Sequence, residues 1–233
     1  MITENVHIVK ERIAEICDDS GRKPDEITLI AVSKTKPVSA INEAVSAGIT
    51  DLGENKAQEL RDKSKLISGD FNWHFLGHLQ TNKVKYVVEP SEYIHSVDSV
   101  KLAEEISRKA GSIDKVQKIL IEVNTSGEET KYGIHDFESL KNLIEECKLY
   151  SNIEVKGLMT MAPFTSDENM IRKCFSDLRE MKERLNNRWQ NITELSMGMT
   201  NDYKIAIEEG STMLRIGTAI FGQRDISKNW REK

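Results

Sequence analysis

The sequence predicts an α/β fold, a (β/α)8 barrel with one extra helix at its N-terminal end. Three observations predict it. Eight short apolar or β-branched runs recur along the chain. Each is followed by a stretch of helical patterning. Polar and glycine-rich groups then gather just after most of the runs, where the functional rim of such a barrel lies. Spacing by itself also allows an open doubly wound sheet.

The elements follow in order. Val6, Val9, Ile13, Ile16 and Cys17 fall at helical spacing and define the opening helix, which Ser20-Gly21-Arg22-Lys23-Pro24 ends. The eight strand candidates are Ile27–Val32, Ile49–Leu52, Trp73–Leu76, Tyr93–Val97, Val116–Val123, Ile153–Met159, Thr193–Ser196 and Thr212–Ile216. Pro37 is placed to open a helix at its first turn, with Val38, Ile41 and Val45 on one face and Gly48 after its end. Asp98 is a candidate cap for the helix of Leu102, Ala103, Ile106 and Ala110, which stops at Gly111. Phe137, Leu140, Leu143, Ile144 and Cys147 form another apolar face. Ile171, Cys174, Leu178, Met181 and Leu185 form the longest, a pattern that suits a helix lying on a sheet.

The chain of 233 residues carries 33 basic and 38 acidic side chains, a net charge of −5, and is 38% hydrophobic and 30% charged. One domain spanning 1–233 is expected, and its size allows a full core without staples. The acidic balance gives no general attraction to nucleic acid or to anionic membranes. The longest uninterrupted apolar run is Leu29–Val32, far too short to span a bilayer. Met1–Asn5 shows no basic, apolar leader. Cys17, Cys147 and Cys174 are odd in number and widely spaced, which fits reduced thiols in a cytoplasmic protein rather than a disulfide frame or zinc site.

Lys34 carries the most chemistry. Alternation places Ile30, Val32 and Lys34 on one strand face. If that face lines the barrel, the amine sits over an apolar core, where desolvation favours the neutral form that a Schiff base requires. A lysine snorkelling to water is the competing reading. Lys36 shares the parity but precedes Pro37, so it belongs to the loop. At the ends of the seventh and eighth runs, Gly198 and Gly217 allow close backbone approach, and Ser196, Thr200 and Thr218 add hydroxyls, as in a phosphate cradle. Arg215 lies between Leu214 and Ile216 inside the last strand and needs a partner, either a ligand or a structural carboxylate. His74 and His78 lack the context of a metal pair, and no metal site is expected. His7, His95 and His135 read as structural or solvated. Lys63-Ser64-Lys65 and Glu208-Glu209 read as solvated faces.

Several segments together resemble the pyridoxal phosphate homeostasis protein family, single-domain relatives of the alanine racemase barrel. They are Ala31-Val32-Ser33-Lys34-Thr35-Lys36-Pro37, Gly53-Glu54-Asn55, Trp73 through Lys83, Gly157-Leu158-Met159, Ser196-Met197-Gly198-Met199 and Arg215 through Gly222. The resemblance implies an alanine racemase N-terminal-domain-like barrel that binds pyridoxal 5′-phosphate (PLP). It implies that Lys34 forms the internal aldimine. Gly217, Thr218, Met199 and Thr200 would bind the phosphate, with Ser196 close by. Arg215 would hydrogen-bond the pyridine nitrogen, and Asn55 would lie beside the ring. Thr200 stands where the family more often has serine, and Lys56 stands where an aromatic residue or arginine is common.

The expected function is therefore a non-catalytic PLP carrier in vitamin B6 homeostasis, passing cofactor transiently to apo-enzymes. An arginine on the ring nitrogen holds it unprotonated, a poor electron sink for carbanion chemistry. The racemase barrel draws a second base from an additional domain, for which residues 223–233 leave no room. A PLP-dependent amino acid racemase is one alternative. A cofactor-free Schiff-base aldolase using Lys34 is the other. With no large apolar stripe, a monomer is expected.

Overall fold

A computed structural model describes residues 1–128, 130–223 and 230–232. Residues 224–229, part of the tail expected to be too short for a second domain, lie outside the described residues. Eight parallel strands close into a barrel in sequence order. They are β1 (Thr28–Val32), β2 (Asp51–Glu54), β3 (Asn72–Phe75), β4 (Ser91–Val97), β5 (Gln117–Glu122), β6 (Ile153–Met159), β7 (Glu194–Ser196) and β8 (Met213–Ile216). β8 returns to pair with β1, with Ile30 opposite Arg215. The open sheet is thereby excluded.

Helix α1 (Ile2–Asp19) precedes β1 and buries the expected five residues, Val6, Val9, Ile13, Ile16 and Cys17. The outer ring holds α2 (Val38–Ser46), α3 (Ala57–Ser64), α4 (Val100–Gly111), α5 (Phe137–Cys147), α6 (Glu168–Asn186), α7 (Tyr203–Glu208) and the short α8 (Thr218–Phe221). Asp136 caps α5 by accepting from the Ser139 amide at 2.9 Å, and Asp167 caps α6 by accepting from Asn169 and Met170.

Three local expectations are corrected. The crossover after β3 holds a 3-10 helix (Thr81–Tyr86) instead of an α-helix. Val84 within it and Val87 and Val88 just after it are all buried, and such β-branched residues crowd an α-turn. Ser99 rather than Asp98 occupies the N-cap position of α4, with no side-chain capping bond, and Asp98 lies 3.9 Å from His78 instead. Pro37 occupies the extended position just before α2, with ψ 162°, one residue earlier than expected.

Strand alternation sorts side chains into two cores. The larger one lies between strands and helices. The smaller fills the barrel and contains Ile30, Val32, Leu76, Leu120, Met159 and Met213, with Tyr93 against them. Inward parity also brings polar groups into the barrel: Asp51 on β2, His74 on β3, His95 on β4, Ser196 on β7 and Arg215 on β8. His74, His95, Ser196 and Arg215 are all buried.

Candidate functional site

The loop after β1 carries Lys34 and is held from behind by buried charge. Lys63 on α3 is fully buried, and its ammonium donates to Glu54 Oε1 (2.7 Å), Glu59 Oε1 (2.7 Å) and the Ser33 carbonyl (2.8 Å). Ser33 Oγ donates to Glu54 Oε1 at 2.7 Å, and the Thr35 amide donates to Glu59 Oε1 at 2.6 Å. Thr35 sits at φ +66°, which costs a β-branched residue about 1–3 kcal/mol unless its surroundings hold it there. Burial pushes Glu54 up to about 7, against the pull of Lys63. The expected solvated face at Lys63 is thus corrected: two carboxylates, one a helical turn earlier and one from β2, compensate its charge inside the protein. Glu208-Glu209 is corrected in the same sense. Glu209 is buried and accepts from Arg172 (2.8 Å) and Arg179 (2.5 Å), while Glu208 accepts from Arg172, joining α7 to α6.

Lys34 itself is half-buried and lines a cavity of about 260 Å³ at the C-terminal mouth of the barrel. Val32, Asn55, Arg215, Gly217 and Thr218 share its wall, as do Met199 and Thr200. The expected parity holds, since Ile30 and Val32 both belong to the interior cluster. Lys36 reaches the wall too, but its ammonium donates to the carbonyls of Phe221 (2.7 Å), Gly222 (3.1 Å) and Gln223 (2.9 Å).

Arg215 forms the floor. Its Nη1 donates to Ser196 Oγ at 2.6 Å, and its Nη2 donates to the Thr160 carbonyl at 2.8 Å. Burial lowers its guanidinium to about 10, while Asp202 and Glu122 act to keep it charged. Glu122 is in turn pushed up to about 7, by burial first and by Asp98 second. Ser196 is fully buried beneath Arg215, close to the cavity but behind its wall. Below it the line continues to His95 and His74, each step 2.9 Å.

The turn after β7 supplies the side of the cavity. Gly198 sits at φ +97°, and a Cβ there would lie 2.5 Å from the Ala206 methyl, so glycine alone fits. The Met199 amide already donates to Asp202 Oδ1 at 2.5 Å. Thr200 Oγ1 accepts from the Ala219 amide at 3.4 Å, tying this turn to α8, which Gly217 opens. Opposite, Asn55 Oδ1 is buried without a hydrogen-bond partner among the described residues. Its loop is pressed by Gly77, where a Cβ would fall 2.2 Å from the Asn55 carbonyl.

The structure thus brings Lys34, Asn55, Met199, Thr200, Arg215, Gly217 and Thr218 to one cavity and sets Ser196 behind it. Sequence reasoning missed His74, His95, Asp51 and the Lys63 cluster. The inward parity of His74 with Leu76, and of His95 with Tyr93, is the signal that could have found the histidines. No group of side chains suited to a metal ion occurs among the described residues. His74 lies in the barrel while His78 stacks on Tyr132 at 3.8 Å.

An amine from Lys34, the donor-only guanidinium of Arg215 and the hydroxyls of Thr200 and Thr218 thus line one small cavity at the mouth of the barrel. The family described as alanine racemase, N-terminal domain, matches residues 8–225. Curated relatives include the pyridoxal phosphate homeostasis protein of Aquifex aeolicus, 42% identical over 95% of this chain and 97% of that protein. That of Escherichia coli K12 is 38% identical over 97% and 98%. A structure of PipY from Synechococcus elongatus PCC7942 with PLP bound has TM-score 0.80 and 35% identity, covering 90% of this chain and all of that one. Alanine racemase of Clostridium difficile 630 shares the fold (TM-score 0.78, 14% identity), with 97% of this chain covering 58% of that one. The chain belongs to the alanine racemase N-terminal-domain family and, within it, to the pyridoxal phosphate homeostasis proteins.

Proposed function

We propose that this chain binds pyridoxal 5′-phosphate in the Lys34 cavity and serves cofactor homeostasis as a carrier, without catalytic turnover. One observation carries the reading: the Lys34 amine and the Arg215 guanidinium line one cavity in a chain 35% identical to a PLP-bound protein. The donor set fits the group. Lys34 offers the amine for a covalent bond to the aldehyde carbon. Thr200, Thr218 and the turn at Gly217 offer hydroxyls and backbone to the phosphate. Met199 contributes to that turn, and its amide exchanges its Asp202 bond if it takes up the anion. The orphaned Asn55 Oδ1 gains a neighbour at the ring edge. Arg215 has no acceptor, so it presents only N–H groups and keeps the ring nitrogen unprotonated.

That arrangement argues for storage over chemistry. A bound pyridoxal supplies its reactive aldehyde, but carbanion chemistry gains most from a protonated ring nitrogen. The whole chain acts as one binding domain and as a monomer in the cytoplasm. It limits free aldehyde and hands the cofactor to apo-enzymes.

The test is the visible spectrum of the purified protein with PLP, before and after borohydride, followed by peptide mapping. We expect a yellow protein that bleaches, with the reduced adduct on Lys34. Lys34→Ala abolishes the adduct and Lys36→Ala keeps it. Arg215→Leu loosens the cofactor and shifts its absorption. An adduct confined to Lys36, or no adduct at all, overturns the site. Turnover of an L-amino acid to its D-form well above free PLP overturns the carrier reading.

A further inference from the structure

One proton order in the polar line beneath Arg215 gives every member a partner. Arg215 Nη1 donates to Ser196 Oγ at 2.6 Å, because a guanidinium cannot accept. The single Ser196 proton then goes to its other partner, His95 Nδ1, at 2.9 Å. His95 therefore carries its own proton on Nε2 and donates it to His74 Nδ1 at 2.9 Å. His74 in turn carries its proton on Nε2, which faces Asp51 Oδ1 at 2.9 Å. Asp51 is the natural terminus: burial opposes its ionisation, yet the bonds from His74 and Thr50 hold its carboxyl below the usual range.

The opposite order fails at both ends while the rings are neutral. With its proton on Nδ1, His95 would give Ser196 a second donor and leave the serine proton without a partner among the described residues. His74 would then turn a lone pair toward an ionised carboxylate at 2.9 Å. A charged His95 is opposed as well: the ring is fully buried, and Arg215 and His74 add to the penalty. Tyr93 stacks on His74 with centroids 5.3 Å apart and holds that ring in plane.

We propose that His95 is a positioning residue for Arg215. By taking the Ser196 proton it keeps a lone pair of Ser196 Oγ aimed at the guanidinium. Together with the Thr160 carbonyl, that lone pair fixes the plane of the guanidinium and the N–H groups left for the ligand. The ligand, an aromatic ring nitrogen, rests on the function proposed above. The proton order and the hold on Arg215 do not.

Both are tested in the ligand-free protein. Multiple-bond 1H–15N spectra of the histidine rings are expected to show His95 and His74 as neutral Nε2–H tautomers. An Nδ1–H or charged His95 overturns the inference. The Arg215 guanidinium resonances then report its hold. His95→Leu removes the acceptor and should shift and broaden them as Ser196→Ala does, with no further change in the double variant. His95→Asn sets an amide oxygen near the lost Nδ1 and should restore them. Equal behaviour of the leucine and asparagine variants, or additivity with Ser196→Ala, overturns the inference. In the loaded protein the leucine variant should bind PLP roughly ten- to a hundred-fold more weakly, the equivalent of one lost hydrogen bond to a charged group. Wild type that shows the tautomers but takes up no PLP sinks the carrier reading and leaves the positioning of Arg215 standing.

Discussion

Lys63→Met removes one ammonium from a closed cluster, and its cost can be worked from the geometry. Lys63 is fully buried and makes three hydrogen bonds, two of them to carboxylates at 2.7 Å. Removing it leaves Glu54 and Glu59 facing one another without a counter-ion and the Ser33 carbonyl without its donor. Breaking a buried pair from one side costs about 3–5 kcal/mol. In a chain of this size each kcal/mol moves the melting point by about 2–4 °C, so the loss is roughly 6–20 °C. The assay is urea and thermal unfolding followed by circular dichroism at about pH 8 and about pH 5.5. Glu54 already titrates near 7 with Lys63 present, above its ordinary 4.5, and higher without it. A carboxyl raised in the folded state favours folding when protonated and loses that contribution as pH rises. The deficit should therefore narrow at the lower pH. Adding Glu54→Gln and Glu59→Gln should recover much of the loss, since it removes the stranded charges. A deficit under about 1 kcal/mol that ignores pH would refute the account.

Glu122→Gln should stabilise the protein above about pH 8 by up to roughly 3 kcal/mol, because its carboxyl rises from 4.5 to about 7 on folding. The sign is that of a raised group: its contribution is complete below 4.5 and lost through 7, so the two proteins converge in acid. Unchanged or lower denaturant midpoints in alkali would count against it. Gly198→Ala should cost about 2–4 kcal/mol from its positive φ and the overpacking against Ala206 and Leu214, and it should loosen PLP with it. A loss under about 1 kcal/mol would mean that the turn relaxes.

The fold was legible because strand and helix periods are local. β6 begins and ends where its apolar run does, and α1 buries all five residues that its spacing selects. Lys34 was legible for the same reason, its parity being set by its own strand. The side chains behind the site were not. Glu59 and Lys63 stand one helical turn apart in sequence, but Glu54, which completes their cluster, arrives from β2. His74 and His95 are separated by 21 positions and meet only when β3 and β4 lie side by side. Ser196 opens the Ser-Met-Gly-Met turn, and its hydroxyl meets His95, a contact across 101 positions that its own strand does not reveal. Charge patterning misread Glu209 because its two arginines come from a different helix.

The seam between β1 and β8 has a further consequence. Lys34 and Arg215 stand on either side of it, at the two ends of the chain's journey around the barrel. Lys36 fastens the seam by bonding to a carbonyl 185 residues away. Bringing two such distant points together in a flexible chain costs roughly 5 kcal/mol of closure entropy. No fragment lacking either end can assemble the cavity, and a growing chain cannot form it before its last strand is made. Whatever binds there meets a finished barrel and, by bridging the joint, opposes the opening of the ring at the place where it closed.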